Sequence, residues 1–221
     1  MKTIGLFFGS FNPIHLGHTD LAEYIFQFSG VDEIWFVVSP RNPLKEQHEL
    51  IDEQLRLKMI SLATADKDYL QVSDVEFDLP KPSYTINTLR VLNEKYPADD
   101  FILLIGSDNM QIFDQWKDYQ IILDDYSVIV YPRKGYPYED FEEKYPEMQV
   151  LEEAPFFEIS STEIRQLIAE KKDASQWLHP EVYQFIIENK LYTTIYDSGN
   201  EAVVKELLRQ IMTEAIRKYG E

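Results

Sequence analysis

Gly9-Ser10-Phe11-Asn12-Pro13-Ile14-His15-Leu16-Gly17-His18 stands between two segments of opposite pattern. Before it runs Ile4-Gly5-Leu6-Phe7-Phe8, which reads as a buried strand; after it, residues 19–26 carry apolar side chains at helical spacing. Strand, small-residue turn and helix start therefore follow in immediate succession. Such a junction aims backbone N–H groups and the positive end of a helix dipole at one spot, which suits a phosphate. His15 and His18 flank Gly17. A neutral imidazole donates to phosphate oxygens without the desolvation cost of a permanent charge, and it can take up a proton as negative charge builds on a departing phosphate. Gly17 leaves room for a phosphate to approach the backbone. A tight turn with space-filling histidines would account for any one of these residues, but not for the whole pattern.

Working outward, residues 33–39 form a second apolar strand, ended by Pro40, and the gap between the two strands holds one helix. That is a right-handed βαβ unit, the first half of a mononucleotide-binding fold. The polar stretch 40–48 lies at the carboxyl end of the second strand, the edge at which open α/β sheets bind ligands, so Lys45 is a candidate phosphate contact, whereas His48 reads as surface. Residues 52–65 read as an amphipathic helix on Leu55, Met59, Ile60, Leu62 and Ala63, and residues 70–75 as a strand. Pro82 and a Ser83 cap predict a helix through Leu92. The apolar run 101–106 predicts a central strand buried on both faces. Gly106 at its end would let a nucleotide lie close, and Asp108 would accept hydrogen bonds from ribose hydroxyls. Trp116 offers an aromatic face for stacking.

Residues 127–131 read as another strand, followed by Arg133 and Lys134 in a turn; the acidic segment 138–153 reads as peripheral. Ser160 and Glu163 have capping-box spacing. Ser161 and Thr162 in the first turn would offer hydroxyls and N–H groups to a phosphate, and Arg165 would clamp its oxygens one turn on. His179 precedes Pro180 at the start of a last helix over 182–189, where the histidine reads as structural. The expected class is α/β, a Rossmann-like doubly wound parallel sheet flanked by helices, with a small C-terminal helical part. Residues 1–192 form the domain. Residues 193–221 form a linker and an amphipathic helix over 202–218, whose apolar face is buried on its own domain or on a second copy of the chain.

Composition excludes several classes. With no cysteine there is neither a disulfide framework nor a thiolate metal site. No stretch approaches the roughly 20 apolar residues of a membrane span, and the N-terminal run is too short for a signal peptide, so a cytoplasmic protein is expected. Thirty-nine acidic against 21 basic residues give a formal charge of −18, which repels nucleic acid but leaves room for a small phosphorylated substrate held by a few gathered cations.

The stretch from Gly9 to His18 resembles the signature of the nucleotidyltransferase superfamily with its H-x-G-H motif, and most of all that of the bacterial nicotinate-nucleotide adenylyltransferase family. Phe8 stands where that family usually has glycine, and Asn12 where it has aspartate; the Asn12 form also occurs in relatives that use the amidated mononucleotide. Pro82-Ser83-Tyr84-Thr85 resembles the element that recognises the pyridine carboxylate, and Ile159 to Arg165 resembles the motif that grips the ATP triphosphate. The resemblance implies transfer of AMP from ATP to nicotinate mononucleotide, with magnesium bound to the nucleotide and no dedicated metal ligands. His15, His18 and Arg165 would be catalytic. Gly9, Ser10, Phe11, Gly17, Gly106, Asp108, Ser161 and Thr162 would bind ATP, and Lys45, Tyr84, Thr85, Trp116 and Arg133 the mononucleotide. An adenylyltransferase for nicotinamide mononucleotide or another phosphorylated acceptor stays open, as does a non-catalytic binding module using the tail helix. An aminoacyl-tRNA synthetase is a poorer match: Lys58-Met59-Ile60-Ser61 falls inside an amphipathic helix of a short, acidic chain.

Overall fold

The structure is a computed structural model that describes residues 1–40, 50–193 and Ile211. Six strands, β1 (Thr3–Gly9), β2 (Glu33–Val38), β3 (Leu70–Ser73), β4 (Asp100–Gly106), β5 (Ser127–Tyr131) and β6 (Gln149–Val150), form one sheet in the order β3-β2-β1-β4-β5-β6. Every pairing is parallel. Among the described residues these α-helices connect and flank the strands: α1 (Leu16–Ser29), α2 (Glu53–Ala63), α3 (Thr85–Lys95), α4 (Ser107–Met110), α5 (Tyr119–Asp125), α6 (Glu139–Glu142), α7 (Ser161–Ala169) and α8 (Pro180–Glu188).

Strand periodicity divides the apolar side chains between two cores. Phe7, Phe36, Leu104 and Ile129 join α1, α2, α7 and α8 on one face; Leu6, Val37, Leu103 and Val130 join α3, α4 and α5 on the other. Both faces of the central strands are thus covered, which is why these segments read as continuous apolar runs rather than as alternation. The chain winds outward from β1 in one direction and from β4 in the other, so connections diverge at the carboxyl ends of β1 and β4 and open a crevice there.

Several sequence expectations shift. The first helix begins at Leu16, inside the glycine-histidine stretch, so Gly17 and His18 belong to its first turn. Helix α3 is capped by Tyr84, not Ser83, and runs on to Lys95. The acidic segment read as peripheral supplies the edge strand β6, and within it Tyr145, Met148 and Leu151 are buried. His179 caps α8, its Nδ1 accepting from the Glu181 N–H at 3.4 Å, in line with a structural role. Lys45, His48 and the tail helix over 202–218 lie outside the described residues, apart from Ile211, which is half-buried against the core that contains α1, α2, α7 and α8. Among the described residues no helix is long and apolar enough to cross a membrane.

Candidate active site

A cleft of about 1130 Å³ opens at the carboxyl ends of β1 and β4. All the described candidate residues line it: the first motif, the turns after β4 and β5, the start of α3 and the start of α7. Residues far apart in sequence are laced together directly. The Arg165 guanidinium donates to the Asn12 carbonyl at 2.9 Å, and the Ser161 hydroxyl donates to the Pro13 carbonyl at 2.8 Å. Ser160 and Glu163 form the expected capping box, with Ser160 N–H donating to Glu163 Oε2 at 2.8 Å. The Ser161 hydroxyl, expected at a phosphate, thus also joins the two motifs, and Ser161 lines the cleft.

The histidines sit with ring centroids 3.7 Å apart. The His15 N–H donates to His18 Nδ1 at 3.3 Å, so a neutral His18 carries its proton on Nε2 and remains a donor. His15 is buried, and that burial, reinforced by the positive charge of Arg133 and opposed weakly by Glu163, pushes its pKa down from 6.5 to about 4. It acts as a neutral donor rather than as a charged one. Among the described residues Ser10 Oγ and His15 Nδ1 are buried without a hydrogen-bond partner, and both residues line the cleft.

The burial of His15 has a measurable consequence. The unfolded chain takes up this proton as pH falls below 6.5, whereas the folded one resists until about 4, so stability is lost as pH falls through that window. Chemical unfolding at pH 7 and pH 4.5 is expected to show the wild type losing roughly 2 kcal/mol more than His15→Gln. Equal losses in the two proteins would contradict a buried neutral imidazole.

Glycines are required by neighbours rather than by an open phosphate path. A Cβ at Gly17 would meet the Phe157 ring carbon Cγ at 3.0 Å, and one at Gly9 would meet the Phe11 ring at 2.7 Å. Phe11 itself, expected against ATP, buries its ring among Phe7, Phe36 and His18, and its backbone has φ of 46°, a left-handed conformation uncommon for a phenylalanine. At Gly106 a Cβ would lie 2.3 Å from Asp108 Oδ1 and 3.0 Å from Arg133. Asp108, expected at a ribose, stands 3.6 Å from Arg133 Nε, so these two candidates form one charged pair on the cleft wall.

At the other end of the cleft, Tyr84 and Thr85 begin α3, whose cap makes no side-chain hydrogen bond. The helix thus begins at the cleft wall with no side chain bound to its first N–H groups, while the Asn87 N–H donates to the Tyr84 carbonyl at 2.8 Å. Trp116 is half-buried beside Phe113, ring centroids 5.1 Å apart, with its other surface on the cleft. Lys117, which sequence reading passed over, lies 4.9 Å from the centre of the Tyr84 ring and adds a cation there.

Sequence reading missed three buried groups. Arg56 has no exposed surface and donates to four carbonyls: Ser10 at 2.6 Å, Ser39 at 2.9 Å, Ile51 at 3.1 Å and Pro40 at 3.3 Å. Glu76 accepts from Thr88 Oγ1 at 2.7 Å and Ser83 Oγ at 2.9 Å; burial raises its pKa, against hydrogen bonds from Thr88, Ser83 and Ser39 that lower it. Tyr192, whose pKa burial pushes up, donates its phenol proton to Asn12 Oδ1 at 2.9 Å. The Ile51 N–H donates to the same oxygen at 3.5 Å. The Asn12 side-chain oxygen is thus used inside the protein, as the acceptor for a phenol and a backbone N–H.

Residues 6–167 match the model of the cytidylyltransferase-like family. A relative from Bacteroides thetaiotaomicron, named as a probable nicotinate-nucleotide adenylyltransferase, is 48% identical over 188 residues, covering 85% of this chain and 92% of that protein. One of the same name from Flavobacterium johnsoniae is 45% identical, covering 86% and 98%. The chain belongs to the cytidylyltransferase-like nucleotidyltransferases and, within them, to the nicotinate-nucleotide adenylyltransferase family. The fold is shared with the nicotinic acid mononucleotide adenylyltransferase of Plasmodium falciparum, in structures complexed with APC and with NaAD: TM-scores 0.72 and 0.71, identity 21%, 87% of this chain and 98% of that one covered.

Proposed function

We propose that the chain transfers the adenylyl group of ATP to nicotinate mononucleotide, releasing pyrophosphate and giving the deamido form of NAD. The observation that carries this reading is the lacing of the two motifs, Asn12 to Arg165 and Pro13 to Ser161, around one cleft whose far end is an open helix N-terminus beside Trp116. In this reading a 5′-phosphate oxygen of the mononucleotide attacks the α-phosphorus of ATP, and the bond from that phosphorus to the bridging oxygen of the β-phosphate breaks. The nucleophile is already anionic, so no base and no covalent enzyme intermediate are needed.

The protein's part is alignment and charge control. Holding two reactants in line supplies roughly 7–11 kcal/mol of a barrier. His15 and His18 donate to the triphosphate as neutral rings, Arg165 and the first turn of α7 hold its oxygens, and Arg133 meets the charge between the two substrates. Thr85 and the open N–H groups of α3 receive the nicotinate carboxylate, and Trp116 stacks on the pyridine ring. Gly9, Ser10, Gly106 and Asp108 line the nucleotide side. Magnesium enters as part of the nucleotide substrate. The carboxylates in the cleft wall, Asp108 and Glu76, already face Arg133 and hydroxyl donors. Phosphate and water oxygens would supply most of its ligands, as is usual for magnesium carried by a nucleotide. Residues 1–192 are the catalytic unit in this reading; the tail takes no part in it.

A pyrophosphate-release assay with ATP and magnesium over a panel of acceptors tests it. Nicotinate mononucleotide is expected to react fastest. Faster reaction of nicotinamide mononucleotide would overturn the acceptor and leave the adenylyl transfer standing; no release with any phosphorylated acceptor would overturn the reaction.

A further inference from the structure

Ser83 has the residue type and position to cap α3, yet its hydroxyl points to Glu76 at 2.9 Å, and the helix starts after Tyr84 without a side-chain cap. The second oxygen of the same carboxylate takes the hydroxyl of Thr88, one turn into the helix, at 2.7 Å. Glu76 is 3% exposed and Thr88 has no exposed surface, so these are buried contacts with an ionisable acceptor, the kind whose loss is costly. One side chain thereby grips the helix on both sides of its first turn. It also occupies the hydroxyl that would otherwise compete for the N–H groups facing the cleft. The reaction as proposed assigns this carboxylate no step, and among the described residues the hydrogen-bond partners of Glu76 are hydroxyl groups.

We propose that Glu76 is a positioning residue for the acceptor subsite: by binding Ser83 and Thr88 it fixes the first turn of α3 and keeps its N–H groups open for the acceptor's carboxylate. This rests on the assignment of nicotinate mononucleotide as acceptor. The effect falls mainly on one substrate, because two of the three hydroxyls on Glu76, those of Ser83 and Thr88, flank the first turn of α3, while the third, Ser39, follows β2 beside the first motif.

The test is a full kinetic comparison of wild type, Glu76→Ala, Glu76→Gln and Thr88→Val, each checked for a cooperative thermal melt and assayed below its Tm. Glu76→Ala is expected to raise KM for nicotinate mononucleotide about tenfold, with KM for ATP within about twofold of wild type. Glu76→Gln, which keeps the length and one accepting oxygen, recovers most of that loss. Thr88→Val, which removes one of the two hydroxyls with little change of shape, raises the acceptor KM by about threefold and carries the test if Glu76→Ala does not fold. Both KM values rising in parallel, or a lowered Tm with both KM values unchanged, would overturn the proposal. A wild type that turns over the amidated mononucleotide instead would remove the acceptor assignment and the proposal together; turnover of the acid that is insensitive to Glu76 removes the proposal alone.

Discussion

His18→Ala is expected to lower kcat by about a hundred- to a thousandfold while KM for nicotinate mononucleotide changes little. The size is that of removing one preorganised donor from a site where negative charge grows during the reaction. His18 Nδ1 is already held by the His15 N–H, which fixes the ring and leaves the Nε2–H as the donating edge. The charge it meets develops on the departing pyrophosphate, so the loss falls on kcat rather than on binding of the acceptor. Folding is little affected, because the ring is half-buried at the cleft wall and not in the core. Arg165→Ala is different in kind: its guanidinium also ties down the Asn12 carbonyl, so KM for ATP rises as well. A His18→Ala protein with a normal melt and undiminished kcat would take the histidine out of the reaction.

Arg56→Ala is expected to cost about 4 kcal/mol of stability, read as a lower urea midpoint of unfolding. The guanidinium is out of contact with solvent and its donors close four carbonyls. Removing it strands those oxygens, each at about 1–3 kcal/mol before relaxation, and opens space between the first motif and the end of β2. Arg56→Lys is expected to recover less than half, since a single ammonium cannot reproduce a planar fork reaching Ser10 on one side and Ile51 on the other. A loss below about 1 kcal/mol in Arg56→Ala would show that water replaces the side chain without penalty.

The strands that carry the cleft were legible because β1, β2, β4 and β5 are covered on both faces and so write themselves as apolar runs. The two motifs that meet at the cleft were legible because residue types, spacing and junction agree. What escaped depends on partners distant in sequence. β6 is two residues long, too short to show a period. Arg56 looks like the solvated face of an amphipathic helix, and only the carbonyls of Ser10, Ser39 and Pro40 converging on it make the position buried. Ser83 looks like a cap because nothing nearby reveals that Glu76 will claim its hydroxyl. The start of α1 moved forward to Leu16 because His15 is held extended, at φ −143° and ψ 169°, which places the helix boundary within the motif.

Tyr192 closes on Asn12 across 180 positions of chain. A chain emerging from the ribosome has made the glycine-histidine stretch almost at once, yet it lacks the phenol that anchors that stretch until its last core helix has been synthesised. Until then the stretch is held by Arg56, Ile51, Ser161 and Arg165 without that phenol. A chain cut short before position 192 would lose a contact of its front half as well as its own end.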